Sequence, residues 1–197
     1  MEKFGGGLQV TKNIRVHGCV VWNDWGKGLF IGAASQVDEI ADVVFEDCKI
    51  IHPLHCAMDF LIVDYAYCHD ITFRNIEVEY DDNPRSPKLQ PTDDTPYSYT
   101  LGEYKSYLVS MFIVHHYEYS HDKAGNSGVR GKIENIRFEN ISVSSKKAPY
   151  FRYQGYSEEY GIKNISFENM LWNGEPLAKD TFQKYTEIAQ FVKGIEY

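Results

Sequence analysis

The sequence predicts an all-β protein, a right-handed single-stranded parallel β-helix of about five to six rungs, and three observations carry that prediction. One short phrase recurs five times: Asn13-Ile14-Arg15-Val16, Asp42-Val43-Val44-Phe45, Asp70-Ile71-Thr72-Phe73, Asn135-Ile136-Arg137-Phe138 and Asn164-Ile165-Ser166-Phe167. The first three copies start 29 and then 28 residues apart and the last two 29 apart, as a restacked structural unit requires. Each phrase also opens a nine-residue run, cleanest in Asn135–Val143 and Asp70–Val78, that alternates apolar and polar positions with β-branched and aromatic residues in the apolar slots. Period two of that composition marks a half-buried strand.

The repeat length selects among β architectures. A leucine-rich repeat spaces its leucines more closely, and a propeller blade needs roughly 40 residues or more. A unit of about 28 residues with two or three short strands suits a coil whose equivalent positions stack about 4.8 Å apart.

Stacked units form columns. Six residues after each phrase start stand Cys19, Cys48, Ile76, Ile141 and Met170, a buried apolar ladder. One position earlier stand Gly18, Asp47, Asn75, Asn140 and Asn169, where amide side chains can hydrogen-bond from rung to rung. A second strand starts fifteen residues after each phrase and aligns Leu29-Phe30-Ile31 with Met58-Asp59-Phe60 and Phe151-Arg152-Tyr153. Its middle residue is expected to point outward, which makes Phe30, Asp59 and Arg152 an outer column and leaves Asp59 exposed.

The third rung is expanded. The 65 residues from Asp70 to Asn135 hold two insertions, Asp81 to about Lys105 and His115 to Gly131, of the kind that usually serve function. At the C-terminus, Lys193-Gly194-Ile195-Glu196-Tyr197 echoes Lys163-Asn164-Ile165-Ser166-Phe167 at a distance of 30. The expectation is one domain over 1–197, with 174–197 a partial rung or cap, cut from the C-terminal part of a longer β-helix. Open ends of such a coil expose core and strand edges and favour a homo-oligomer formed through them.

Composition narrows the partners. A net charge of −8 with no basic patch argues against nucleic acid. No apolar stretch is long enough to span a membrane, and Met1-Glu2-Lys3-Phe4-Gly5-Gly6-Gly7 has no signal-peptide core, so localisation stays open between a soluble chain and a secreted or periplasmic parent. The 15 tyrosines suit stacking on sugar faces and suit a tyrosine-rich core equally well. Cys19 and Cys48 share an inward column with parallel Cβ vectors, so the cysteines read as reduced core residues. His52, His55, His115, His116 and His121 sit in no ligand spacing, and Asp81-Asp82 and Asp93-Asp94 read as solvated acids, so neither metal nor cofactor is expected.

The stretch Cys19-Val-Val-Trp-Asn-Asp-Trp-Gly-Lys-Gly-Leu-Phe-Ile-Gly32, followed by Ile40-Ala-Asp-Val-Val-Phe-Glu-Asp-Cys-Lys-Ile50, resembles the second half of the pectin-lyase-fold enzymes of glycoside hydrolase family 28, the polygalacturonase group. The resemblance runs from about Val10 to Val192. It implies a β-helix that acts on a polysaccharide or oligosaccharide. Three departures qualify it: Lys27 stands where the family has a histidine, Asp59 and Leu61 replace its carboxylate-binding Arg and Lys, and its catalytic aspartate rungs are absent. A neutral or differently substituted glycan fits better than polygalacturonate.

On that resemblance Asp59 and Asp24 are the candidate catalytic carboxylates, an acid and a base on adjacent rungs. Trp25, Lys27, Phe30 and Arg152 are the candidate substrate-binding residues. Two readings follow: a family 28-like hydrolase, or a non-catalytic module of the same shape that binds glycan or only assembles.

Overall fold

The computed structural model describes residues 9–23, 25–33, 35–82, 88–89, 94, 99–100, 105–115 and 128–197. The strands are β1 (Val10–His17), β2 (Val20–Trp22), β3 (Lys27–Ala33), β4 (Glu39–Ile51), β5 (Cys56–Ile62), β6 (Tyr67–Glu79), β7 (Lys88–Leu89), β8 (Tyr99–Thr100), β9 (Tyr107–Ile113), β10 (Lys132–Ser144), β11 (Tyr150–Gln154), β12 (Ile162–Trp172) and β13 (Glu175–Pro176). After them come a short helix α1 (Lys179–Lys184), β14 (Thr186–Ile188) and β15 (Val192–Glu196).

The chain passes back and forth between two parallel sheets. One runs β1-β4-β6-β10-β12, with β2 beside β4 and with β13 and β15 beside β12; the other runs β14-β11-β9-β5-β3. Among the described residues only the two-residue pairings β12–β13 and β7–β8 are antiparallel. This is an all-β architecture of parallel sheets, compatible with the coil expected from the repeat. The phrases lie in register: Val43 faces Ile71, Ile71 faces Ile136, Ile136 faces Ile165, and Ile165 faces Ile195 of the sixth, partial copy.

Each long strand of the first sheet is bent twice, and the phrase's first residue explains the first bend. Asn13, Asp42, Asp70, Asn135 and Asn164 all hold φ between 52° and 59°, in the left-handed region. Asp47, Asn75, Asn140 and Asn169, five residues further on, do the same. Only Gly, Asn and Asp enter that region readily. Each such residue steps the strand by one and resets the alternation, so in β10 the inward residues are Ile133, Ile136, Phe138, Ile141 and Val143. The side chains link the columns as expected: Asn75 Nδ2 donates to Asp47 Oδ1 (2.8 Å), Asn140 Nδ2 to Asn75 Oδ1 (3.0 Å) and Asn169 Nδ2 to Asn140 Oδ1 (2.8 Å). A second ladder, not anticipated from the sequence, joins Asn135 to Asp70 (3.2 Å) and Asn164 to Asn135 (3.1 Å).

Between the sheets lies one continuous core. Its axis is a stack of phenylalanine rings, Phe45, Phe73, Phe138 and Phe167, with centroids 4.8, 5.1 and 4.8 Å apart and ring planes within 11° of parallel. Each buried ring contributes about 1.5–3 kcal/mol by leaving water. All four cysteines are free thiols.

The two ends differ. At the C-terminal edge of the sheets Phe182 of α1 is buried against Phe151, Phe167 and Tyr197. Pro176 on β13, which lacks an N–H, further blunts that edge. At the other end Val20 (70%) and Trp22 (62%) are exposed. The expanded rung keeps its strand: β9 lies between the two insertions and pairs with both β5 and β11.

Candidate functional site

The outer face of the second sheet carries most of the predicted residues. Parallel register brings Phe30 opposite Asp59, Asp59 opposite Ser110, Ser110 opposite Arg152 and Arg152 opposite Glu187. The column expected as Phe30, Asp59 and Arg152 is therefore real, with Ser110 inserted before Arg152 and Glu187 added at its end. Gly28 in β3 permits the close approach of strands, since a Cβ there would stand 2.6 Å from the Ala57 carbonyl oxygen.

Asp59 corrects the sequence reading. It is 1% exposed rather than solvent-facing. Lys27 Nζ lies 2.6 Å from its Oδ2, and the same ammonium sits 4.2 Å from the centre of the Phe30 ring. The contact is an ion pair. Asp59 is thus enclosed by its column neighbours, with Lys27 laid over it. Lys27 itself is bound to this carboxylate rather than free for a ligand.

Arg152 is held on three sides. Its Nε donates to Ser110 Oγ (3.0 Å), and its Cζ lies 4.1 Å from the centre of the Tyr107 ring and 4.6 Å from that of Phe112. Its two Nη groups have no hydrogen-bond partner among the described residues. At the end of the column Lys105 pairs with Glu187, which also accepts from the Tyr107 hydroxyl (3.3 Å). The Lys105 hydrogen bond holds the Glu187 carboxyl below its usual range and raises Lys105 in return. His55, on the turn before β5, is depressed by burial; Asp59 opposes that shift, and Arg152 and Lys27 reinforce it.

Lys105 and Tyr150 connect the column to a cavity of about 340 Å³ at the edge where strands of the first sheet end and those of the second begin. Lys105 Nζ stands 4.4 Å from the centre of the Tyr150 ring, and Tyr150 meets Tyr107 edge to face at 6.4 Å. Tyr80, Ser106, Lys146 and Pro149 line the rest with Asp82, whose carboxylate accepts from the Lys146 backbone N–H (3.1 Å). Several hundred cubic ångströms is the size of a small-ligand site, and this lining is strongly charged, with Asp81, Asp82, Lys105, Lys146 and Lys147 beside the Tyr80 and Tyr150 rings.

Trp25, 53% exposed, stands just before β3. Asp24 lies outside the described residues. Sequence reasoning missed Tyr107, Ser110 and Phe112, because the insertion hides the repeat spacing that would align β9, and it missed Glu187 on β14. Their one sequence signal was Tyr107–Ile113, an apolar run left between the two insertions.

Among the described residues one group could supply three metal ligands: His17 Nδ1 lies 3.1 Å from Asp47 Oδ2 and 3.9 Å from Glu46 Oε1. Glu46 is already shared by Arg15 and Arg74, whose charges oppose a cation there. Comparison of the chain with protein-family models, with curated proteins and with solved structures finds no match.

Proposed function

We propose that the chain is a right-handed parallel β-helix with the shape of the family 28 glycoside hydrolases, and that it binds a neutral oligosaccharide without cleaving it. The observation that carries this reading is the row Arg152, Tyr107, Tyr150 and Lys105 leading into the 340 Å³ cavity. Aromatic faces offer sugars an apolar platform, and the Arg152 Nη groups offer hydrogen bonds to hydroxyls. Lys105 of the row is paired with Glu187, and Lys27 of the adjoining column with Asp59, while Arg152 is held by Ser110 and two rings with no ion pair among the described residues.

Binding is favoured over hydrolysis by the state of Asp59. A hydrolase needs an acid and a base that reach the scissile bond from either side. A carboxylate that is 1% exposed and paired with a lysine does neither. The test is an array of neutral oligosaccharides probed with the full chain, followed by titration of any ligand found. Tyr150→Ala and Arg152→Ala are expected to weaken binding about tenfold each, the loss of one stacking or hydrogen-bonding contact. Binding of no glycan would overturn the proposal, and turnover that disappears in Asp59→Asn would return the hydrolase reading.

A further inference from the structure

The first two copies of the repeat place two thiols side by side, on residues separate from the glycan row. His17 faces Glu46 and Val20 faces Lys49, so Cys19 faces Cys48 across neighbouring parallel strands. Backbone hydrogen bonds fix that register on either side, from Gly18 N to the Glu46 carbonyl (3.1 Å) and from Lys49 N to the Cys19 carbonyl (2.8 Å). Beyond Cys48 the column continues with Ile76, so the two thiols stand together at its β1 and β2 end.

Both side chains point the same way. The residues before them, Gly18 and Asp47, hold left-handed φ of 65° and 52°, so the two strands bend alike. Each thiol then donates to the carbonyl two residues before it, Cys19 Sγ to that of His17 (3.7 Å) and Cys48 Sγ to that of Glu46 (3.1 Å). Burial pushes the Cys48 thiol up, and the Cys19 thiol beside it adds to the rise.

That arrangement suits one kind of bond and not another. Side chains presented in parallel from neighbouring strands stand about 4.8 Å apart. A disulfide needs Cβ atoms about 3.8 Å apart and sulfurs at about 2.05 Å. A first-row metal ion bonds thiolate sulfur at about 2.3 Å, so an ion in line between two sulfurs spans about 4.6 Å. The gap between the sulfurs is therefore the room the ion takes as the thiol protons leave. Cys48 is buried, but Cys19 is only partly so and lies at the edge of the first sheet, the side from which an ion reaches the pair.

The ligand set selects the ion. Thiolate sulfurs favour soft cations, and zinc in a structural site takes four ligands. The inward neighbours Val16, Val21, Phe45 and Ile50 carry no side-chain ligand atom, and the His17 ring is turned to Asp47 (3.1 Å). We infer that Cys19 and Cys48 form a two-coordinate site for a soft monovalent cation, copper(I). Binding replaces two S–H bonds by two Cu–S bonds, releases both protons to solvent and leaves copper in the same oxidation state. The site does not depend on the glycan reading.

The test is an anaerobic titration of the full chain with copper(I) in competition with the chelator bicinchoninate. Wild type is expected to hold a single equivalent. Cys19→Ser is expected to hold it at least about tenfold more weakly, since residues merely behind a metal ligand are already worth that much. Cys68→Ala, whose thiol lies in another column between Ile40 and Ile133, is expected to match wild type. Two protons leave per ion, so affinity is expected to fall about a hundredfold for each unit of pH lowered below neutrality. A wild type that holds no copper, equal binding by Cys19→Ser, or a fall of only about tenfold per unit, the mark of a single thiol, would each overturn the assignment. Should Cys19→Ser not fold, iodoacetamide labelling of wild type, read by mass spectrometry, takes its place. A single equivalent of silver(I), an ion of the same charge and softness, is expected to slow labelling of Cys19 about tenfold or more, and an unchanged rate overturns the site.

Discussion

Lys27 and Asp59 sit on neighbouring strands of the second sheet, with Nζ 2.6 Å from Oδ2 and the carboxylate withdrawn from solvent. Sequence alignment of the rungs places Asp59 on the outer face and says nothing of this pairing. The pair turns a candidate catalytic acid into an internal ion pair, and it sets the first prediction.

Lys27→Met is expected to destabilise the protein by about 3 kcal/mol, the low end for breaking a buried pair because Lys27 keeps some solvent contact. The double variant Lys27→Met/Asp59→Leu is expected to recover most of that loss, since it removes the stranded charge. Urea denaturation of the two single variants and the double variant measures the coupling. Additive losses would mean that the pair is not coupled in solution.

Asn140 separates two contributions at one position. Its φ is 55°, and it links Asn75 and Asn169 in the ladder. Asn140→Ala forfeits both the tolerated left-handed backbone and the hydrogen bonds, about 1–3 kcal/mol. Asn140→Gly forfeits only the hydrogen bonds and is expected to cost clearly less, as Gly18 already occupies the equivalent left-handed position. Equal losses in the two variants would remove the backbone from the explanation.

His69 makes stability depend on pH from the basic side. Its Nδ1 lies 2.7 Å from Asp70 Oδ2 and its Nε2 3.0 Å from Glu39 Oε1. Burial alone would depress its pKa, but the hydrogen bonds to Asp70 and Glu39 outweigh burial and raise it above the ordinary histidine value. A raised folded value gives stabilisation that is complete below the unfolded pKa and lost as pH rises through the folded one. Asp70, lowered chiefly by His69, and Glu39, lowered chiefly by Lys12, give stabilisation present above their unfolded values and lost as pH falls through the folded ones. Wild type is therefore expected to lose Tm as the pH rises above the ordinary histidine value of about 6.5, and His69→Gln to flatten that limb. Identical profiles over this range would exclude His69 as the cause.

Phe73 is the central ring of the core stack, fully buried between Phe45 and Phe138 and met edge-on by Phe60 at 5.8 Å. Phe73→Ala is expected to cost about 3–5 kcal/mol and Phe73→Leu substantially less, because leucine refills most of the volume. Guanidinium denaturation reads both, and a loss below 1 kcal/mol for alanine would mean that the stack collapses around the gap at little cost.

Much of this architecture is written in the order of residues. Asn, Asp or Gly at fixed offsets marks the backbone positions that must turn left-handed, and the apolar slots between them mark the core. Both recur at the rung spacing, so alignment of the chain with itself recovers the register from Asp42 to Asn164. That logic reaches as far as the outer column of Phe30, Asp59 and Arg152, because strand neighbours follow from spacing alone.

It stops where the deciding neighbour comes from a place with no fixed spacing. Ser110 and Tyr107 enter the site on β9, which an insertion separates from the period. Whether an outward residue meets water or another side chain depends on what lies across it, and for Asp59 that is Lys27, three positions before the column residue Phe30. Periodicity encodes the local and stacked contacts that repeat; burial and charge pairing on the outer faces are summed over the whole molecule, and only the folded chain sets them.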